Sequence, residues 1–368
     1  MASDNYQSFE LFREEIEEVQ VYFDQADQQC FRWIGAVGYG EYGLCLRIKA
    51  QVTVNGIRSW KDFIIKRDIW HKEDSLRLES NRLKAFRGAS HIVQILDLPG
   101  NPLDKPLPQP TPEWLEWDRL RQTHLLTSDS ESDDDGSFRK KYLVLEYIPN
   151  GTLRDFIQKI RQSSNGAACL PNRLLRGLLL CLLKACLNMM SPNRAGLDDF
   201  FHTKLNLDNV MVGNLIPDDP EHSISPILKL ISFGTDDVAD RQEGEHEIHP
   251  DEPGIVKNLI YVATIMLQLI TLDDQYIIDP EAIEDKLWTF WWLNHSLRDS
   301  IATCTYPGTY ATVKERLADL VTQVEGDFFD QDYTWYRSHM TKWTRAELWR
   351  ESDESILELL SDAGYTEG

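Results

Sequence analysis

No stretch of this sequence reads as a membrane span. The longest apolar runs, around Leu174–Leu187 and Leu259–Ile270, are interrupted by Arg, Lys, Tyr or Gln and look too short to cross a bilayer. The acidic opening MASDNYQSFELFREEIEEVQ lacks the apolar core of a signal peptide. Basic residues are scarce, with 38 Lys and Arg against 60 Asp and Glu and a formal net charge of -22. No dense Lys/Arg run offsets this, so non-specific binding to nucleic acid or to an anionic membrane surface is not expected. Cysteine chemistry is thin as well. Cys30, Cys45, Cys169, Cys181, Cys186 and Cys304 form no Cys-x-x-Cys pair and have no His at metal-ligand spacing. They read as buried thiols in a reducing compartment, cytoplasmic or nuclear, and no metal site is expected.

What is present is enough apolar material for a sizeable core: 42% hydrophobic residues and eleven Trp in 368 residues. There is no internal repeat. Residues 5–29 carry an acidic helical pattern (Phe9, Phe12, Ile16, Val19). From Phe31 to Lys66 the texture is β: FRWIGAV, a glycine cluster, LCLRIKAQVTV, then Asn55-Gly56 and a run ending DFIIK. Asn-Gly between two alternating runs is a strong hairpin signal. Residues 73–87 read as a helix, and HIVQILDL and KYLVLEYI as two more strands. Between these lies a long excursion, about 99–140, which is proline-rich at first and ends in the acidic, serine-rich TSDSESDDDGS. Ser128, Ser130 and Ser132 each have an acid three residues downstream, a pattern expected to attract an acid-directed kinase. From Gly151 onward helical patterns dominate (152–162, 171–190, 254–271, 281–303, 309–324 and 346–363), with a β-like patch at 209–233. Strands first and helices after give an α+β plan.

Gly38, Gly40 and Gly43 make a G-x-G-x-x-G that joins strand to strand, not strand to helix. That disfavours a Rossmann dinucleotide site and favours a flap over ATP phosphates. Lys66 ends the run Phe63-Ile64-Ile65-Lys66, and Glu79 follows on the next expected helix. Leu143-Val144-Leu145-Glu146-Tyr147 leads into Pro149-Asn150-Gly151. Then come His202-Thr203-Lys204-Leu205-Asn206-Leu207-Asp208-Asn209 and, later, Ser232-Phe233-Gly234. This ordered set, about residues 31 to 271, resembles the protein kinases. The resemblance implies that Gly38, Gly40, Gly43, Lys66, Glu79, Glu146, Tyr147 and Asn209 are candidate nucleotide-binding residues. Lys66 would grip phosphate, Glu79 would pair with it, and the Glu146–Tyr147 backbone would meet adenine. It also implies a two-lobed α+β fold: an acidic helix at 1–30, a small β-rich N-lobe at 31–150 carrying the insertion, and a larger helical C-lobe at 151–368.

The pattern breaks where chemistry is done. Lys204 stands where kinases keep the Asp that accepts the substrate hydroxyl's proton, and Ser232 where they keep the Asp that holds Mg²⁺. A lysine cannot serve as that base at neutral pH without strong desolvation. Losing a positioned base costs ~10²–10⁴-fold, and losing the metal site removes further charge stabilisation. Thr203 replaces an arginine that senses activation-loop phosphorylation, and Asn258 falls near where the central helix of kinases starts with Asp. Ile64, on the same face of its strand as Lys66, adds bulk above the adenine. The expected function is therefore a catalytically inactive pseudokinase acting on protein partners as an interaction or allosteric module. ATP would bind with weak or no Mg²⁺ dependence, and Lys204 would pair with an acid such as Asp208. The alternatives are an atypical active kinase using Asp208, Asp236 or Asp237, and a small-molecule phosphotransferase of kinase-like fold. Oligomeric state is not readable.

Overall fold

A computed structural model describes residues 9–40, 43–68, 73–104, 142–163, 169–191, 200–234, 254–306 and 310–365. The acidic insertion with Ser128, Ser130 and Ser132, and also Asp236 and Asp237, lie outside the described residues. The chain is α+β and divides into two compact units, one of residues 1–80 with 95–147 and the other of 81–94 with 148–368.

The first unit opens with a 3-10 turn, Glu10–Phe12, and helix α1 (Arg13–Asp24), shorter than the helix expected over 5–29. A four-stranded antiparallel sheet follows in the order β1 (Phe31–Gly40), β2 (Gly43–Val54), β3 (Ile57–Arg67) and β4 (Tyr142–Glu146). The β2–β3 hairpin closes on Asn55-Gly56, which stand at φ 52° and 80° with Val54 paired to Ile57. Two residues at positive φ are what the type I′ turn demands, and Asn-Gly supplies them at least cost. Alternation along β3 then sorts its side chains. Phe63 and Ile65 join Phe23, Leu44, Leu46, Ile48 and Val144 in a core that includes Val19 and Tyr22 of α1. Ile64 and Lys66, two residues apart, face the other side. Arg67 of β3 also reaches α1, with Nη2 2.6 Å from Glu18 Oε2. At the base of the insertion, Tyr142 Oη donates to Asp104 Oδ1 at 2.6 Å.

Helix α2 (Glu73–Ala85) forms as expected, but HIVQILDL does not become a strand. It makes isolated bridges only, Ile92 to Leu230 and Ile95 to Leu145. Its first half bonds to one unit and its second half to the other, so neither half reaches the length of a ladder.

In the second unit, α3 (Leu153–Ser163) and α4 (Asn172–Met189) fall where the periodicity places them. Fifteen residues of α4 are buried. A helix apolar nearly all round belongs in a core, and α4 packs there against α5 (Gly254–Thr271), α8 (Tyr310–Asp330) and the hairpin of β5 (Val210–Val212) and β6 (Leu228–Leu230) through β6. The expectation that the Leu259–Ile270 run is too short to span a bilayer needs correction. Helix α5 extends it to 18 residues, long and apolar enough by length and composition, yet 61% of it is buried inside the protein.

The other helical patterns are broken. The 281–303 segment splits into α6 (Ile283–Trp288) and α7 (His295–Thr303), because Asn294 turns out of the helix and caps Ser296 N. Beyond α9 (Tyr333–His339), which the pattern missed, 346–363 splits into α10 (Arg345–Trp349) and α11 (Asp353–Asp362). Thr344 and Glu347 form a capping box on α10, and Ser352 caps α11. All six cysteines are free thiols, with Cys181, Cys186 and Cys304 buried and the other three half-buried.

Candidate functional site

The candidate residues fall into two sets, one in each unit. In the first, Gly38 pairs with Cys45 and Gly40 with Gly43 across β1 and β2, so the glycine motif does join strand to strand. The three glycines are not equivalent. At Gly43 the backbone sits at φ 135°, and an added Cβ would come within 2.3 Å of the Arg67 carbonyl oxygen. The fold itself requires glycine there. At Gly38 and Gly40 an added Cβ would meet no atom within 4 Å among the described residues, so packing among those residues does not account for them.

Lys66 lies in register with Leu143 of β4 and Cys45 of β2, and its Nζ donates to Glu79 Oε2 at 2.6 Å. The side chains are only 7% and 1% exposed. The order of the two residues in the sequence is thus converted into a buried ion pair between a strand and α2. Ile64 is buried, on the same face as Lys66. Glu146 ends β4 opposite Phe63, and the Arg47 guanidinium covers the Tyr147 ring at 4.0 Å from its centroid. Arg47 had no place in the sequence reading. Only the sheet brings it beside Tyr147.

In the second unit, His202 organises the loop that precedes β5. Its ring is buried, and Nε2 lies 2.7 Å from the Ile231 carbonyl oxygen. A carbonyl can only accept, so Nε2 carries the proton, and Nδ1 accepts from Lys204 N at 3.2 Å. Burial, joined by the nearby Arg82 charge, holds the His202 pKa down at about 4, although the bond to Ile231 opposes it. Asn258 of α5 grips the same residue from both sides: its Oδ1 accepts from His202 N at 2.8 Å and its Nδ2 donates to His202 O at 2.6 Å. An aspartate could accept the first bond but could not donate the second without a proton. The amide is thereby explained at a position where the resemblance leads one to expect an acid.

Asn206 caps the turn that follows, accepting from Asp208 N and Asn209 N, and Asn209 Nδ2 donates to Lys204 O at 2.7 Å. Asp208 does not lean on Lys204 as anticipated. Arg154 of α3 takes both its oxygens in a forked pair, Nε to Oδ1 at 2.7 Å and Nη2 to Oδ2 at 2.9 Å, while Nη1 bonds to Asp274. Such bidentate pairing is strongly preferred by guanidinium over ammonium. No sequence signal pointed to Arg154, which lies 54 positions away.

Ser232 stands at φ 66°, a left-handed conformation that serine seldom adopts and that Asn, Asp and Gly adopt more easily. The following Phe233 packs on Phe86 and Phe200, and Arg82 Nη1 donates to Phe233 O at 2.9 Å. The contacts of Phe233 thus sit beside one backbone position, Ser232, held in a costly conformation.

No protein-family model and no curated protein matches this chain.

Proposed function

We propose that the chain is a two-lobed protein-kinase-like fold that has lost phosphoryl transfer and serves as an interaction or allosteric module for protein partners. On this reading it binds ATP through Lys66 with little or no dependence on Mg²⁺. One observation carries the proposal. The Lys66–Glu79 pair is intact and buried, in a chain that has Lys204 and Ser232 where a phosphotransferase needs two carboxylates. A buried ion pair is often no more stabilising than an apolar pair of the same volume, so its presence favours a role beyond packing. The open space at Gly38 and Gly40 points the same way, since glycine there would let a ligand approach the backbone. The strained backbone at Ser232 supports a site that kept its shape after losing its metal ligand.

The alternative, an active kinase with a displaced carboxylate, is less favoured at Asp208, because both its oxygens pair with Arg154. The test is thermal stability of the full chain with ATP, with and without Mg²⁺, together with transfer from radiolabelled ATP, including autophosphorylation. ATP should raise the melting temperature equally with and without metal, the gain should vanish in Lys66→Met, and no transfer should occur. Lys204→Asp or Ser232→Asp alone should not create activity, since proton acceptance and metal binding act together. Turnover by the wild type that disappears on Lys66→Met would defeat the proposal, and a stabilisation that needs Mg²⁺ would revive the active reading.

A further inference from the structure

The second unit holds a group of side chains that none of the kinase-like motifs includes. His91, Cys181, Glu221 and His222 each present a ligand-type atom, and the four atoms lie within 4.8 Å of one another. Three elements bring them together: the segment after α2, helix α4, and the loop between β5 and β6. Sequence spacing could not reveal this, because only two of the four are neighbours in the chain.

The packing is specific to this meeting. Gly177 of α4 lets the loop close in, since a Cβ there would come within 2.5 Å of Ser225 Oγ. Cys181, one turn further on, lies on the same face, as does Lys184 after it. The loop holds its own shape through Ile216 N to His222 O, His222 N to Asp219 O and Glu221 N to Asp219 Oδ1, at 2.9, 3.0 and 2.9 Å.

The donor set is oriented as a metal would need. His91 Nδ1 lies 3.2 Å from the Leu228 carbonyl oxygen, which can only accept. That fixes a proton on Nδ1 and turns Nε2, the nitrogen that offers a lone pair when the ring is neutral, towards the centre, 3.5 Å from Glu221 Oε1. A ring nitrogen tied to a backbone carbonyl while the other faces the centre is the usual support of a metal-bound histidine. His222 Nε2 stands 3.8 Å from the same Glu221 oxygen. Glu221 Oε2 is held by Lys184 Nζ at 2.6 Å, which in turn meets Glu325 at 2.7 Å. Glu221 Oε1 itself is buried and, among the described residues, is met by the imidazole nitrogens only at these longer distances, short of a well-formed hydrogen bond. His91, Cys181 and His222 are 2%, 1% and 3% exposed. Ligand atoms around a tetrahedral zinc ion are about 3.3–3.7 Å apart, as follows from bond lengths of ~2.0–2.3 Å. The two separations given above, 3.5 and 3.8 Å, lie in or just outside that range.

We propose that His91 Nε2, Cys181 Sγ, Glu221 Oε1 and His222 Nε2 form a closed, structural site for one zinc-class divalent ion. The ion pins the β5–β6 loop and the post-α2 segment to α4. Four protein ligands of mixed N, S and O type leave no open position, which marks a structural role rather than a catalytic one. The two imidazoles are neutral ligands, and the thiolate and carboxylate balance the ion's charge. Binding expels the Cys181 thiol proton to solvent and involves no redox change. This inference does not depend on the kinase-like reading.

The test uses the whole 368-residue chain. Elemental analysis after dialysis should find about one zinc per chain. Reconstitution with Co²⁺ should give tetrahedral d–d bands and a thiolate charge-transfer absorption. X-ray absorption of the wild-type zinc protein, which needs no variant, should show one sulfur and about two imidazoles in the first shell. Cys181→Ser should abolish the thiolate band and weaken zinc binding by more than the ~10–100-fold that changes in the outer shell cost. Cys304→Ser, a buried thiol elsewhere in the same unit, should keep both. Chelation should lower the melting temperature of the wild type but not of Cys181→Ser. Folded wild-type protein with no retained zinc and no cobalt–thiolate band would overturn the proposal and leave a hydrogen-bonded polar cluster. A sulfur-free first shell, or a thiolate band that survives Cys181→Ser, would overturn it equally.

Discussion

Changing Lys66 to methionine keeps most of the side chain's volume and removes its charge from beside Glu79. At the observed 2.6 Å and an effective dielectric of ~20, the attraction between the two charges is about 6 kcal/mol. Withdrawing each ion from water costs several kcal/mol, so the intact pair contributes little net stability. Removing one partner is different, because the Glu79 carboxylate, 1% exposed, keeps its desolvation cost and loses the Lys66 cation. Lys66→Met should therefore destabilise by about 3–5 kcal/mol. Glu79→Leu alone should cost a similar amount by stranding the ammonium. The double variant Lys66→Met/Glu79→Leu removes both charges and should return to within about 1 kcal/mol of wild type. Urea unfolding followed by circular dichroism and tryptophan fluorescence gives the four corners of the cycle. Single costs below about 1 kcal/mol, or a double variant as unstable as the two singles summed, would refute the picture of a buried, mutually dependent pair. The double variant also separates function from folding, since a well-folded protein that no longer responds to ATP assigns the loss to the ligand site.

The glycine motif should divide under substitution. Gly43→Ala must relieve both a positive φ and a contact with the Arg67 carbonyl, and should lose about 2 kcal/mol or more in thermal or urea unfolding. Gly38→Ala and Gly40→Ala should leave stability within about 1 kcal/mol and weaken the ATP-induced thermal shift instead. Asn258→Asp should cost about 2–3 kcal/mol at neutral pH, because a carboxylate would face the His202 carbonyl oxygen that the amide now donates to. Asn258→Ser, smaller but still a donor, should cost less than the aspartate. Acid sensitivity should trace to His202. Its folded pKa of about 4 lies below the ordinary value near 6.5, so its neutral form supports the fold above pH 6.5 and that support is lost as pH falls towards 4. The shift corresponds to about 3 kcal/mol, and the stability gap between wild type and His202→Gln should narrow by that amount from pH 7 to pH 4. A gap that stays constant with pH would show that His202 is not held neutral.

The amino-acid order by itself determined the local features. The Asn55-Gly56 hairpin, the strand-borne glycine motif, α2, α3, α4 and α5 all follow from turn chemistry and periodicity, which act over a few residues. The same is true of Lys204 and Ser232, whose identities need no coordinates. What the sequence could not decide depended on distant partners. HIVQILDL has strand texture but is shared between two units, and Asp208 goes to an arginine on another helix instead of to Lys204. The breaks at Asn294 and Ser352 were written in the chain as capping residues, yet an apolar periodicity running through them concealed both. The meeting of His91, Cys181, Glu221 and His222 is tertiary altogether. A helix stripe at Gly177, Cys181 and Lys184, a self-bonded loop and a fixed histidine tautomer converge only after the core has closed, because side chains far apart in sequence are brought within ångströms by packing alone.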